Sequence, residues 1–267
     1  MNLIEKIIYF FQGEMQRPTP FGWFHILCLI LVLISIIILY KKKNFDSEKR
    51  LKKILFIYGF VALILEILKQ IIWSYKIDPV NGIISVDYQW YAFPFQLCTT
   101  PIFISLICSF MKKNKIRDNM LSYMAYITIL GSISTMIVPE SCFVETILVN
   151  IHTMWLHLGS FVVSIYLIMS SKVKQDFKSF KGAVKVFIIF VLIAQTMNII
   201  IYNIGILNGE TFNMFYISPY FISSLPIFDM IQQSVPFIIY LIVYVVTLIT
   251  GGFIIFLISK FVKKIIK

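Results

Sequence analysis

Charged side chains are scarce in this chain, making up 14% of its 267 residues against about 25% in an ordinary soluble domain. With 59% of the residues hydrophobic, there is too little polar surface to cover a globule in water, which excludes a soluble fold. Several motifs are missing as well. No Gly-rich phosphate loop, Gly-x-Ser-x-Gly elbow, His-Glu-x-x-His or Cys-x-x-Cys occurs, which argues against nucleotide hydrolysis, a serine hydrolase of the common type and a zinc site. His152 and His157 are five residues apart, about 140° around a helix, and so do not form a zinc-binding pair. No metal or cofactor is expected. The four cysteines, Cys28, Cys98, Cys108 and Cys142, form no regular framework, and no structural disulfide is expected from them.

Lys and Arg are absent from three stretches, around Ile77–Tyr91, Pro139–Val149 and Gly205–Gln233. These alternate with strongly basic ones. The apolar residues between them gather in seven segments: Phe21–Tyr40, Ile54–Trp73, Phe95–Met111, Met120–Val138, Ile151–Met169, Val184–Tyr202 and Val235–Ile258. Each is close to the roughly 20 residues that a helix needs to cross about 30 Å of hydrocarbon. Of the 24 basic residues, 20 fall on alternate connections: Lys41–Lys53, Lys112–Arg117, Lys172–Lys185 and the tail from Lys260. Such placement accounts for the net charge of +11 without any nucleic-acid partner. The pattern predicts an all-α, polytopic seven-transmembrane-helix bundle of the cell membrane, one domain over residues 1–267, with the N-terminus outside and the C-terminus cytoplasmic. Met1–Gln12 lacks the pattern of a signal peptide. It is expected to lie at the membrane interface, either as an amphipathic docking helix or as a short lead-in to Pro18 and Pro20.

Polar side chains inside the predicted spans are the candidates for function, because each costs roughly 2.5 to 3.5 kcal/mol in hydrocarbon unless it faces the bundle interior. The second span carries Glu66 with Lys69 and Gln70 on one face. The fifth carries a stripe of Asn150, Thr153, His157, Ser160 and Ser164, and the sixth carries Gln195, Asn198 and Tyr202. His25 opens the first span; Gln96, Cys98 and Thr99 open the third. In the predicted topology His25, Cys98 and His157 lie roughly 5 to 10 Å below the outer surface, and Glu66, Lys69 and Asn198 lie in the same half of the membrane. A polar cavity open to the outer leaflet is expected there. A cysteine and a histidine at matched depth suit a nucleophile and base acting on an ester carbonyl, although either residue taken alone is also an ordinary packing residue.

The Phe24–His25 opening, the run Pro94-Phe95-Gln96-Leu97-Cys98, His157 and the segment Asn213-Met214-Phe215-Tyr216-Ile217-Ser218-Pro219 together resemble the YwaF-like branch of the transmembrane protein 164 family. The resemblance runs over nearly the whole chain and rests on the order and spacing of short motifs. It implies a lipid acyltransferase whose partner is a membrane phospholipid or lysophospholipid, with Cys98 as nucleophile and His157 as base. More distant hydrolases related to androgen-induced proteins use a Thr and His pair, which leaves Thr99 or Thr100 as the alternative nucleophile. His25, Glu66, Lys69, Gln96 and Asn198 are the expected substrate-binding residues, the outcome being either acyl transfer or hydrolysis. The competing class is a non-enzymatic transporter or small-ligand carrier centred on Glu66 and Lys69. A structural membrane protein without its own ligand is the third.

Overall fold

Long runs of Leu, Ile, Val and Phe without an internal proline leave the backbone one way to pair its polar groups in lipid, which is within each segment as a helix. The computed structural model describes residues 1–41, 45–139 and 142–266. Lys42, Lys43 and Lys267, the side chain of Lys264 and part of the Pro139–Val149 connection lie outside the described residues. The elements are α1 (Leu3–Phe11), α2 (Trp23–Lys41), α3 (Glu48–Ser74), β1 (Tyr75–Asp78), β2 (Gly82–Val86), α4 (Thr100–Phe110), α5 (Lys115–Tyr123), α6 (Ile129–Ile137), α7 (Ile147–Met169), α8 (Phe177–Ile204), α9 (Phe228–Ser234) and α10 (Phe237–Ile266). Among the described residues six helices are long and apolar enough to cross a membrane: α2, α3, α5 continued into α6, α7, α8 and α10.

The third predicted span, Phe95–Met111, differs from expectation. Its helix, α4, has 11 residues, about 16 Å, which is half the hydrocarbon thickness. Pro101 is the reason. Inside a longer helix its nitrogen would face the Leu97 carbonyl with no hydrogen to offer, so Pro101 is tolerated only in the first turn. The Thr100 hydroxyl takes that carbonyl instead, at 2.8 Å. Before it, residues 95–99 form a turn in which the Gln96 N–H donates to the Thr99 hydroxyl and the Thr99 N–H donates to the Gln96 carbonyl. This stretch nevertheless runs the length of α3 in the opposite direction. Gln70 and Lys69 bond the Ala92 carbonyl, Gly59 meets Ile102 and Leu106, Phe56 meets Phe110, and Glu48 pairs with Arg117.

The two ends of the bundle differ chemically. At one end Glu48 pairs with Arg117 and lies 3.8 Å from Lys172, which brings three of the basic connections together. At the other, α1 docks on the end of α3, where the Gln12 amide donates to the Ile72 and Tyr75 carbonyls at 2.8 and 2.6 Å and so caps the helix. The β1–β2 hairpin follows directly, its turn held by the Asp78 carboxylate accepting from the Val80 and Asn81 N–H groups, with Gly82 at φ +83°. Leu3, Ile4 and Phe10 of α1 are exposed.

The core is built around α7, which packs on α2, α3 and α6. Between α5 and α6, the fully buried residues Met124–Thr128 form a π-helical turn. Its Met124 carbonyl accepts from the Ser164 hydroxyl at 2.8 Å and from the Thr128 hydroxyl at 3.1 Å.

At Gly59 the α3 and α4 backbones approach so closely that a Cβ would sit 3.1 Å from the Ile102 carbonyl oxygen and 2.9 Å from Leu106 Cγ. Gly59→Val is therefore expected to cost about 1–3 kcal/mol and to lower the melting temperature in detergent by several degrees. Gly131→Val, where a Cβ meets nothing, serves as the control. Equal melting of the two variants would show that the close approach does not matter.

Candidate functional site

Charges persist inside a low-dielectric bundle only when paired, and the pairing found here extends beyond the one expected. Glu66, Lys69 and His152 are all buried, at 2%, 7% and 4% exposure. Glu66 Oε1 lies 2.7 Å from Lys69 Nζ and accepts from the Gln70 amide at 2.7 Å, as the shared face of α3 predicts. Its other oxygen, Oε2, is 2.8 Å from His152 Nε2 on α7, a close contact without the alignment of a directed hydrogen bond. The Ala92 carbonyl accepts from both Gln70, at 2.7 Å, and Lys69, at 3.3 Å. One carboxylate thus joins α3, α7 and the lead-in to α4. His152 escaped the sequence reading because it lies off the polar stripe of its helix, and only the packing of α7 against α3 brings it to Glu66.

Cys98 occupies the turn before α4 and packs on Ala62, Ile102 and Leu156, with Trp155 beside them. Trp155 and Leu156 face α3, since the Trp155 ring N–H donates to the Tyr58 carbonyl at 3.2 Å and the Tyr58 hydroxyl donates to the Leu156 carbonyl at 3.0 Å. His157 follows at once, about 100° further round the helix, with Nδ1 3.1 Å from the Thr135 hydroxyl of α6. His152, one turn before Leu156, shares the face toward α3.

The other expected site residues divide by what they hold. His25 is fully buried at the start of α2, where its Nδ1 accepts from the Phe21 N–H at 3.1 Å and its ring lies 5.9 Å from that of Phe143. Its Nε2 has no partner among the described residues. Gln96 and Asn198 grip a single loop. The Asn198 side chain accepts from the Met214 N–H at 2.7 Å and donates to the Met214 carbonyl at 3.0 Å. Gln96 donates to the Asn213 carbonyl at 2.9 Å and accepts from the Phe215 N–H at 2.7 Å. Phe215 and Tyr216 adopt φ values of +56° and +59°, a region costly for bulky residues, and the Tyr240 hydroxyl fastens the Tyr216 carbonyl at 2.5 Å. Both amides therefore position the 213–216 turn. The stripe expected on the sixth span splits, since Asn198 is buried whereas Tyr202 is exposed and stacks on Tyr220 with ring centroids 3.6 Å apart. Thr99 and Thr100 are buried, and the Thr100 hydroxyl lies 2.9 Å from that of Tyr123.

Chemically, the junction of α3, α4 and α7 offers a carboxylate–ammonium pair and the His152 imidazole, with the Cys98 thiol among the apolar residues nearby, while His157 is turned to Thr135 of α6. Glu66→Gln leaves the Lys69 ammonium buried without its counter-charge, a loss of about 3–5 kcal/mol, whereas Glu66→Gln combined with Lys69→Met removes both charges. The double variant is expected to melt higher in detergent than the single one. Identical melting temperatures would mean that the two charges are not coupled.

No curated protein and no solved structure matches the chain. A family model does match, over residues 20–257, a stretch holding α2 to α9 and most of α10. The chain is a multi-pass membrane protein that belongs to the TMEM164 family.

Proposed function

We propose that this protein is a membrane-embedded lipid acyltransferase in which Cys98 carries the acyl group and a histidine of α7 moves the protons. The observation that supports the proposal is that Cys98 packs against the buried cluster of Ala62, Ile102 and Leu156, the last of which directly precedes His157 in α7. The Cys98 proton passes to the imidazole, and the thiolate attacks the ester carbonyl of a phospholipid. The glycerol oxygen leaves with that proton as a lysophospholipid, and the acyl chain stays on sulfur as a thioester. A second lysophospholipid gives its hydroxyl proton to the imidazole and attacks the thioester, restoring the Cys98 thiol; water in its place gives hydrolysis. Gln96 and Asn198 serve by holding the 213–216 turn.

His157 is the base that the family resemblance implies. One observation favours His152 as a second candidate. It shares the face of α7 that carries Leu156, and its ring meets the Glu66 carboxylate, the arrangement that orients a catalytic imidazole.

The proposal includes seven crossings, with the N-terminus outside and the C-terminus cytoplasmic. It is supported by the course of residues 92–117 along α3 from Gln70 to Glu48, about 33 Å of helix, and by the basic residues gathered at the Glu48 end.

In proteoliposomes with a fluorescent phospholipid donor, Cys98→Ala is expected to lower acyl transfer at least about 100-fold, and replacement of the true base by alanine to do the same. Comparison of His157→Ala with His152→Ala identifies that base. Undiminished transfer by Cys98→Ala sinks the enzyme assignment. For the topology, protease added to intact cells is expected to remove an N-terminal tag and spare a C-terminal one; tags lying on one side contradict seven crossings.

A further inference from the structure

A positively charged rim need do no more than mark which side of a membrane a loop occupies, but here it surrounds a cavity. At the end of the bundle where Glu48 meets Arg117, a cavity of about 480 Å³ opens between the start of α5 and the start of α8. Lys113 and Lys115 line it from the α5 side; Lys174, Lys178, Lys181 and Lys185 line it from the α8 side. These residues come from connections some 60 positions apart in sequence, so their convergence follows from the packing of α5 on α8. The floor is neutral. Ser122 is buried there, and Asn119 packs so closely on Gly182 that a Cβ would meet its Oδ1 at 2.2 Å.

The two carboxylates in the lining do not neutralise this rim. Asp176 caps α8, its oxygen accepting from the Ser179 N–H at 2.7 Å, and Asp118 is the other. Lys172, also in the lining, reaches Glu48 at 3.8 Å; among the described residues the other six lysines have no carboxylate within 4.0 Å. Seven ammonium groups held around a concavity with only two carboxylates raise its potential and attract a multiply charged anion. The adjoining surface indicates what carries that anion. Lys181 and Lys185 are one turn apart on α8, and the same side continues as Ile189 and Ile193, with Leu192 beside them, all exposed and apolar. Cations directly above an apolar stripe match a headgroup above its acyl chains.

We propose that the α5–α8 cavity is a binding site for an anionic phospholipid of the adjacent leaflet, its phosphate among Lys178, Lys181 and Lys185 and its chains along Ile189, Leu192 and Ile193. The site lies at the opposite end of α3 from Glu66, Lys69 and His152, and it stands whether or not the acyl-transfer proposal holds. It requires only that the helices span a bilayer.

Native mass spectrometry of the purified full chain, titrated with dioleoyl phosphatidic acid or dioleoyl phosphatidylcholine, tests the site. The unmodified protein is expected to retain phosphatidic acid at least tenfold more strongly than phosphatidylcholine. Raising the ammonium acetate concentration should weaken that retention. Lys178→Gln/Lys181→Gln/Lys185→Gln should lose the preference, while Lys41→Gln/Lys49→Gln/Lys53→Gln, which removes equal charge outside the cavity, should keep it. If the first triple variant does not purify as a folded monodisperse species, Lys181→Gln and Lys185→Gln are measured singly, each expected to lose at least threefold. Equal loss in both triple variants, or retention by the cavity variants, overturns the site. Inorganic pyrophosphate binding as tightly as phosphatidic acid overturns the lipid assignment in favour of a soluble phosphate.

Discussion

Within hydrocarbon a backbone N–H or C=O that leaves the helical ladder finds no water, and each such group is costly unless another part of the protein pairs with it. Two stretches of this chain leave the ladder near the Glu66 layer: residues 92–99, which lead into α4, and residues 213–216, which connect toward α10. The side chains that meet their backbone groups are mostly amides. Gln70 takes the Ala92 carbonyl, Gln96 spans Asn213 and Phe215, and Asn198 takes both polar groups of Met214. An amide offers a donor and an acceptor together without bringing a charge, which suits it to close an irregular backbone in lipid. The polar residues of the spans are thus divided between holding loops and pairing buried charge.

The shortness of α4 has a direct consequence for that layer. Because Pro101 confines the helix to residues from Thr100 onward, Cys98 sits on a turn, where the Thr99 and Thr100 hydroxyls donate to the preceding carbonyls of Gln96 and Leu97. The thiol is therefore placed against α3 and α7 together, beside Ala62 and Leu156.

Glu66 ties the same region together electrostatically. With Lys69 and Gln70 on one oxygen and His152 opposite the other, it joins two helices that are far apart in sequence. Seven lysines line the α5–α8 cavity at the far end, against two carboxylates. One end of the molecule therefore holds paired charge inside the bundle, and the other an excess of positive charge at its rim.

Composition and periodicity alone determined that the chain is a helical membrane protein, where six of its long helices lie, and that Glu66 would neutralise Lys69, because hydrocarbon thickness and the 3.6-residue repeat act on local sequence. The match over residues 20–257 bears out membership of the transmembrane protein 164 family, the coarser part of the resemblance drawn from Phe24–His25, Pro94–Cys98, His157 and Asn213–Pro219. Much of the site was not legible. A polar residue in a span reads the same whether it grips a loop, as Asn198 does, or meets a charge, as His152 does, and a proline near a span end does not announce how much helix it removes. Only the tertiary structure decided these, since the partner of each side chain comes from a helix whose approach no local pattern specifies.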